Sequence, residues 1–152
     1  MDLYEALKSV HILAVAAWFG AGVTVQVLAG LARRAGPERT AAFVQDASKL
    51  SNTLFMPASF VALGTGIWMV VESPAWSFAD LWITLGFAGF IATAITGMAV
   101  LGPTGKKLAQ MIPAKGPEDA EAQRLLARLF NVGRVDLVVL ALVIVDMVVK
   151  PT

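Results

Sequence analysis

The 152-residue chain contains no cysteine and only one histidine. The absence of cysteine excludes disulfide bonds, thiolate metal sites and a cysteine nucleophile. Charged residues make up 15% of the chain and hydrophobic residues 57%, whereas soluble globular domains contain about 25% charged residues. These proportions exclude a water-soluble domain and intrinsic disorder. The net charge of +1 gives the chain no overall field that would attract nucleic acid.

Long stretches with little or no charge alternate with short polar segments. An α-helix needs about 20 apolar residues to cross a hydrocarbon core of about 30 Å. Four stretches fit this requirement, namely residues 9–32, 52–71, 81–102 and 132–149. The last is the weakest, because Asp136 and Asp146 interrupt it. We therefore predict an all-α fold, a four-helix transmembrane bundle in which residues 1–152 form a single integral membrane domain within a lipid bilayer.

The basic residues predict how the bundle is oriented. Ten of the twelve lysines and arginines lie around the first and third connections, while the second connection contains none. By the positive-inside rule, both termini face away from the cytoplasm of a bacterial cytoplasmic membrane. Polar residues at helical spacing follow Pro37 and Pro117, so helices two and four are expected to extend into the cytoplasm. Pro57 predicts a kink near the start of the second span.

Three short matches suggest an internal repeat with a spacing of about 79 residues. Such a repeat would make the protein two similar helical hairpins related by a pseudo-twofold axis along the membrane normal. The matching segments are Gly36-Pro37-Glu38 with Gly116-Pro117-Glu118, residues 49–52 with 128–131, and residues 69–74 with 147–151. Chance similarity between apolar segments is the alternative explanation.

Several side chains able to bind a ligand are predicted near the non-cytoplasmic face. At about 1.5 Å per residue, His11 and Asp146 lie a short way inside this face, where Met69, Met147 and Glu72 also fall. Imidazole with thioether suits Cu(I) or haem iron, whereas imidazole with carboxylate suits a divalent metal ion or a proton relay. The non-functional alternatives are a hydrogen-bonded histidine, methionines that fill gaps in the core, and an ion pair between Asp146 and Lys150.

A second polar layer is predicted near the cytoplasmic side of the spans. It consists of Gln26, Arg134 and Asp136. Arg134 and Asp136 cannot face each other at a spacing of two on one helix, so each needs a partner on a neighbouring helix or in the lipid headgroups. We interpret this layer as polar contacts that hold helices together rather than as a transport site.

The opening of the first helix, Lys8-Ser9-Val10-His11-Ile12 followed by Trp18-Phe19-Gly20, resembles a motif of small bacterial membrane proteins. These are the copper-resistance-D-like proteins, the J-type protoporphyrinogen oxidases and a predicted integral membrane protein family of unknown function. The last is the best match, because its chains have this length and four spans. Its chains also end much like Arg134-Val135-Asp136 and the segment 146–151 of this sequence.

The resemblance to the oxidases implies haem at His11, and the resemblance to the copper family implies copper. Porphyrinogen oxidation itself is disfavoured, because Gln26 and Val27 stand where those oxidases have an arginine, and helix three has no lysine. Our leading hypothesis is a protein that binds haem b or a metal ion such as copper through His11. A haem with two histidine ligands would require a homodimer. The alternative is a bundle without a cofactor that carries a small solute or supports a partner complex.

Overall fold

The computed structural model describes residues 2–152, and these form four long helices without a β-strand. Their bounds are α1, Leu3–Ala35; α2, Pro37–Glu72; α3, Leu81–Lys115; and α4, Ala120–Val149. The predicted all-α class is confirmed. By length and composition, α1, α2 and α3 are able to cross a membrane. The apolar part of α4 contains Arg134, Asp136 and Asp146, and α4 does not meet the same criterion.

The helices begin and end at residues suited to these positions. Asp2 caps α1, because its carboxylate accepts a hydrogen bond from the Glu5 amide at 2.7 Å, and the Glu5 carboxylate accepts one from the Asp2 amide at 3.2 Å. Gly36 and Gly116 have positive φ angles of 112° and 85°. Because glycine adopts such angles without steric cost, the chain can turn sharply after α1 and α3.

Both α2 and α3 contain a π-helical turn directly before a proline. These turns are Ser51–Phe55, before Pro57, and Gly97–Leu101, before Pro103. A proline has no amide hydrogen, and its ring clashes with the carbonyl four residues earlier. A wider turn accommodates the ring while the helix continues. One π turn thus lies beside Pro57, where the sequence predicts a kink, and a second lies beside Pro103.

The third predicted span ends at residue 102, but the helix that contains it does not. In the structure α3 continues to Lys115 and includes Pro113. Thr104, Leu108 and Ile112 recur at helical spacing and are buried. Burial of this stripe against α2 and α4 keeps the segment helical.

The helices pack as two pairs, α1 with α2 and α3 with α4, and α1 also contacts α4. The N-terminal part of α2, residues 37–50, packs against residues 102–115 of α3, whereas the apolar spans of these two helices scarcely touch. We call the end with the α1–α2 and α3–α4 connections the basic end. We call the opposite end, with the α2–α3 connection, the Trp end. The two pairs are thus joined most closely at the basic end.

A buried apolar cluster at the basic end holds the two pairs together. Its buried members are Ala29, Val44, Leu108, Ile112, Ala122, Leu126 and Phe130. On the surface nearby, Lys107 and Lys115 donate to Glu121 at 2.6 and 3.3 Å. These two ammonium groups lower the pKa of the Glu121 carboxyl group below its ordinary value. The basic end is therefore a small helical core in its own right.

We expect Leu108→Ala to destabilise the protein by about 2–5 kcal/mol, because it removes a side chain with no exposed surface and leaves a cavity. The matched control is Leu142→Ala, since Leu142 is 62% exposed on α4. Denaturation in detergent, followed by circular dichroism, measures both. Equal losses in the two variants would show that the cluster at the basic end does not stabilise the fold.

Candidate functional site

A cavity of about 100 Å³ lies at the Trp end between the spans of α2 and α3. We call it the His11 cavity. Its lining is mostly apolar, and all four helices and the α2–α3 connection contribute to it. The lining side chains that carry a nitrogen, oxygen or sulfur atom are Tyr4, His11, Met69, Trp76, Trp82 and Met147.

His11 is held in place by the backbone of α2. Its Nδ1 lies 2.9 Å from the carbonyl oxygen of Ala62 and 3.1 Å from the hydroxyl of Thr65. A carbonyl oxygen can only accept a hydrogen bond, so Nδ1 carries the proton and donates it. The second ring nitrogen, Nε2, makes no hydrogen bond within residues 2–152. A histidine bonded to the backbone through one nitrogen commonly presents the other to a ligand.

Gly66 allows the imidazole ring to lie close to α2. A methyl group at this position would come within 3.2 Å of His11 Cε1, which is closer than ordinary van der Waals contact. Gly64, two residues earlier, has open space around it. The sequence alone does not show which of the two glycines faces α1.

The two methionines predicted near this face both line the His11 cavity. Met69 lies on α2, and Met147 reaches α3, where the absence of a side chain at Gly86 makes room for its terminal methyl group. Gly89 makes room for Val143 in the same way. The structure therefore brings His11, Met69 and Met147 together around one cavity.

Unlike the methionines, the two predicted carboxylates, Glu72 and Asp146, do not line the cavity. Glu72 is exposed at the end of α2. The Oδ2 atom of Asp146 is buried near Gly86 and has no hydrogen-bond partner in the described part of the chain. The ion pair expected between Asp146 and Lys150 is also absent there. The structure therefore does not place the Asp146 carboxylate on the cavity that His11 lines.

Aromatic side chains close the cavity at the Trp end. The indole nitrogen of Trp76 donates a hydrogen bond to the Tyr4 hydroxyl at 3.3 Å. The rings of Trp76 and Trp82 lie edge to face, with centroids 5.2 Å apart. The ammonium nitrogen of Lys150 lies 4.3 Å from the Trp76 ring centroid and 5.0 Å from that of Trp82. Tyr4 was missed by the sequence analysis, since it lies outside the predicted first span.

The predicted polar layer does not form a cluster in the structure. Gln26 donates from its amide nitrogen to the carbonyl oxygen of Phe130 at 3.5 Å, and a side chain at Gly133 would collide with it. The amide oxygen of Gln26 is buried and has no partner in residues 2–152. Arg134 is exposed, and no hydrogen bond joins Gln26, Arg134 and Asp136 in that range. The contact between Gln26 and α4 fits the predicted role in holding helices together.

The donor atoms around the His11 cavity favour a soft metal ion over a hard one. Residues 2–152 contain no group of three or more histidine, cysteine, aspartate or glutamate side chains that could hold a metal ion. One imidazole nitrogen and two thioether sulfurs are instead the soft, uncharged ligands that suit Cu(I). A volume of about 100 Å³ falls well below the ~300–1,000 Å³ of pockets that enclose drug-sized ligands. The volume in this conformation is therefore closer to that of a small ion than to that of a haem macrocycle.

The family described as predicted integral membrane proteins (DUF2269) matches residues 5–151. The chain belongs to this family. The predicted membership of an integral membrane protein family is thereby confirmed. No curated protein and no solved structure matches the chain. The likeness to copper-resistance-D-like proteins and to J-type oxidases remains a resemblance carried by the first helix.

We expect nuclear magnetic resonance to find the His11 proton on Nδ1. Because the chain has a single histidine, a ¹⁵N-histidine label gives one pair of ring signals in detergent at neutral pH. The expected pattern is a protonated Nδ1 and an unprotonated Nε2, because the Ala62 carbonyl accepts from Nδ1. A proton on Nε2 would contradict this arrangement. Gly64→Ala serves as a control that leaves the pattern unchanged, since open space surrounds that residue.

Proposed function

We propose that this integral membrane protein binds Cu(I) in the His11 cavity. His11 Nε2 is the nitrogen ligand, and the sulfur atoms of Met69 and Met147 are the thioether ligands. The observation that carries the proposal is the hydrogen bond from His11 Nδ1 to the Ala62 carbonyl. This bond leaves Nε2 as a lone-pair donor beside a cavity that both methionines line.

The environment of these ligands suits a singly charged, soft ion. Thioether sulfur binds Cu(I) well and binds hard divalent ions poorly. Exclusion of water by the surrounding apolar side chains strengthens the electrostatic part of each metal–ligand contact. The bonds from His11 to Ala62 and Thr65 orient the ring, which is the usual role of groups behind a metal-bound histidine.

Haem b is the second candidate, and it is supported by the resemblance of the first helix rather than by the size of the cavity. To admit the macrocycle, the spans of α2 and α3 would have to move apart. A haem shared by two copies of His11 would also need both rings at a dimer interface, whereas the ring here lies between α1 and α2. A bundle that carries a small apolar solute without any cofactor is the third candidate.

We expect the purified protein to bind one Cu(I) per chain, measured by competition with a chromophoric Cu(I) chelator under reducing conditions. Met69→Leu and Met147→Leu should each weaken binding at least about tenfold, and His11→Ala by more, because each removes a ligand. Thr65→Val should weaken Cu(I) binding by about 10–100-fold, because it removes a hydrogen-bond partner of His11 Nδ1 that orients the ring. Met98→Leu, a change at a methionine that is 65% exposed, should have no effect.

Three results would identify a different function. A visible haem spectrum that is lost in His11→Ala would favour haem b. If the protein binds neither Cu(I) nor haem, the remaining candidate is a bundle that carries a small solute without a cofactor. Cu(I) binding that is unchanged in the three ligand variants would place the ion elsewhere.

We also infer that α4 is a fourth span and that the basic end lies in the cytoplasm of a bacterial cytoplasmic membrane. The support is the distribution of charge, with ten of twelve basic residues around the α1–α2 and α3–α4 connections. The helical parts of α2, α3 and α4 at the basic end would then project from the membrane. Both termini would face the opposite side.

The absence of cysteine allows a direct test of this orientation. Ala75→Cys and Ala114→Cys place single thiols at exposed positions of the Trp end and the basic end, respectively. In intact bacterial spheroplasts, a membrane-impermeant maleimide should label Ala75→Cys and not Ala114→Cys. In lysed cells both should react. Labelling of Ala114→Cys in intact spheroplasts would reverse the orientation.

A further inference from the structure

We propose that Trp76 and Trp82 form a binding site for the ammonium group of an amphiphile, and that Lys150 occupies this site as a built-in ligand. The ligand class is an alkylated amine, either a free molecule or the headgroup of a lipid. The proposal does not depend on Cu(I) binding. We call the two indole rings, with the Tyr4 hydroxyl that holds one of them, the aromatic cage.

The geometry of the cage suits a cation. The two indole planes are nearly perpendicular, at 87°, and each presents its π system to the same ammonium nitrogen. Both distances, 4.3 and 5.0 Å, lie within the range of about 6 Å in which a cation is attracted to an aromatic ring. The hydrogen bond from Trp76 to Tyr4 fixes one wall of the cage.

Lys150 ends α4 in a left-handed backbone conformation. Lys150 is the one non-glycine residue of the described chain with a positive φ angle, 51°. This left-handed conformation is unfavourable for a residue with a side chain. The Lys150 amide still donates a hydrogen bond to the Asp146 carbonyl at 2.8 Å. The Lys150 side chain extends over the two indole rings. The ammonium group therefore lies on the aromatic rings and not on the nearby Asp146 carboxylate.

The space beside the cage suits an apolar group attached to the amine. The cage lines the His11 cavity together with Ile83 and Phe87. The spans of α2 and α3, which flank the cavity, scarcely contact each other. An alkyl chain could therefore extend from the cage between these helices into the hydrocarbon region of the bilayer.

Charge at the Trp end also favours a cationic ligand. Five acidic residues and two lysines lie there, namely Asp2, Glu5, Glu72, Asp80, Asp146, Lys8 and Lys150. If Lys150 left the cage, one of the two local positive charges would move away. The acidic residues at this end would then attract an incoming ammonium group more strongly.

The test measures binding of octyltrimethylammonium to the protein in a non-ionic detergent, followed by tryptophan fluorescence. Lys150→Met should tighten binding about tenfold, because it removes a tethered competitor and keeps a side chain of similar length. Trp82→Leu should abolish binding in both backgrounds. Trp68→Leu is the matched control, since Trp68 is 52% exposed and does not line the cavity, and it should leave the affinity unchanged.

Folding of each variant is checked by its melting temperature, and Trp82→Phe replaces Trp82→Leu if the latter does not fold. Because phenylalanine attracts cations less than tryptophan does, the expected result is weaker binding. Equal binding by wild type, Lys150→Met and the Trp82 variants would overturn the proposal. So would weaker binding by Lys150→Met.

A second arm distinguishes the two sources of the ammonium group. Lys150→Met is reconstituted in nanodiscs that contain equal amounts of phosphatidylethanolamine and phosphatidylglycerol, and the retained lipids are identified by native mass spectrometry. Retention of phosphatidylethanolamine that is lost in the Lys150→Met, Trp82→Phe double variant supports a lipid headgroup. Equal retention of both lipids, with octyltrimethylammonium still bound, supports a free amine.

Discussion

The proposed metal site depends on one interaction, the hydrogen bond between His11 and the Ala62 carbonyl. It joins α1 to α2, and in a low-dielectric environment such a bond is stronger than in water and costly to leave unmade. The bond uses Nδ1 of the only histidine in the chain to orient the ring, so Nε2 is the nitrogen that could bind a ligand. Gly66 contributes to the same arrangement, because a Cβ atom there would come within 3.2 Å of His11 Cε1 and the ring would have to shift by a few tenths of an ångström.

The cavity itself results from the way in which the helix pairs are joined. The N-terminal part of α2 packs against the C-terminal part of α3 at the basic end, beyond the π turns. Towards the Trp end these helices no longer pack closely, and the space between them becomes the His11 cavity. The apolar cluster around Leu108 thus positions a site that its own side chains do not touch. Residues of the two turns at the basic end, Pro37 in the first and Gly116 and Pro117 in the second, border one groove.

The helices and their apolar spans could be predicted from the sequence because hydrophobic length and the position of charge are local properties. His11, Met69 and Met147 could be grouped because helical rise fixes their depth. The extension of α3 could not be foreseen, since Pro103 and Pro113 obscured the buried stripe that stabilises it. The partner of Lys150 could not be foreseen either. Asp146 is four residues away in the chain, and only the folded α2–α3 connection brings Trp76 within reach.

The two proposed ligands interact through their charges. A Cu(I) ion among uncharged nitrogen and sulfur ligands would keep its full positive charge, and the indole rings of the aromatic cage line the same cavity. In an apolar environment, like charges repel much more strongly than in water. Cu(I) in the proposed metal site would therefore weaken binding of an ammonium group in the cage, whether that group belongs to Lys150 or to an amphiphile. No carboxylate among the described residues pairs with Lys150 to offset this repulsion.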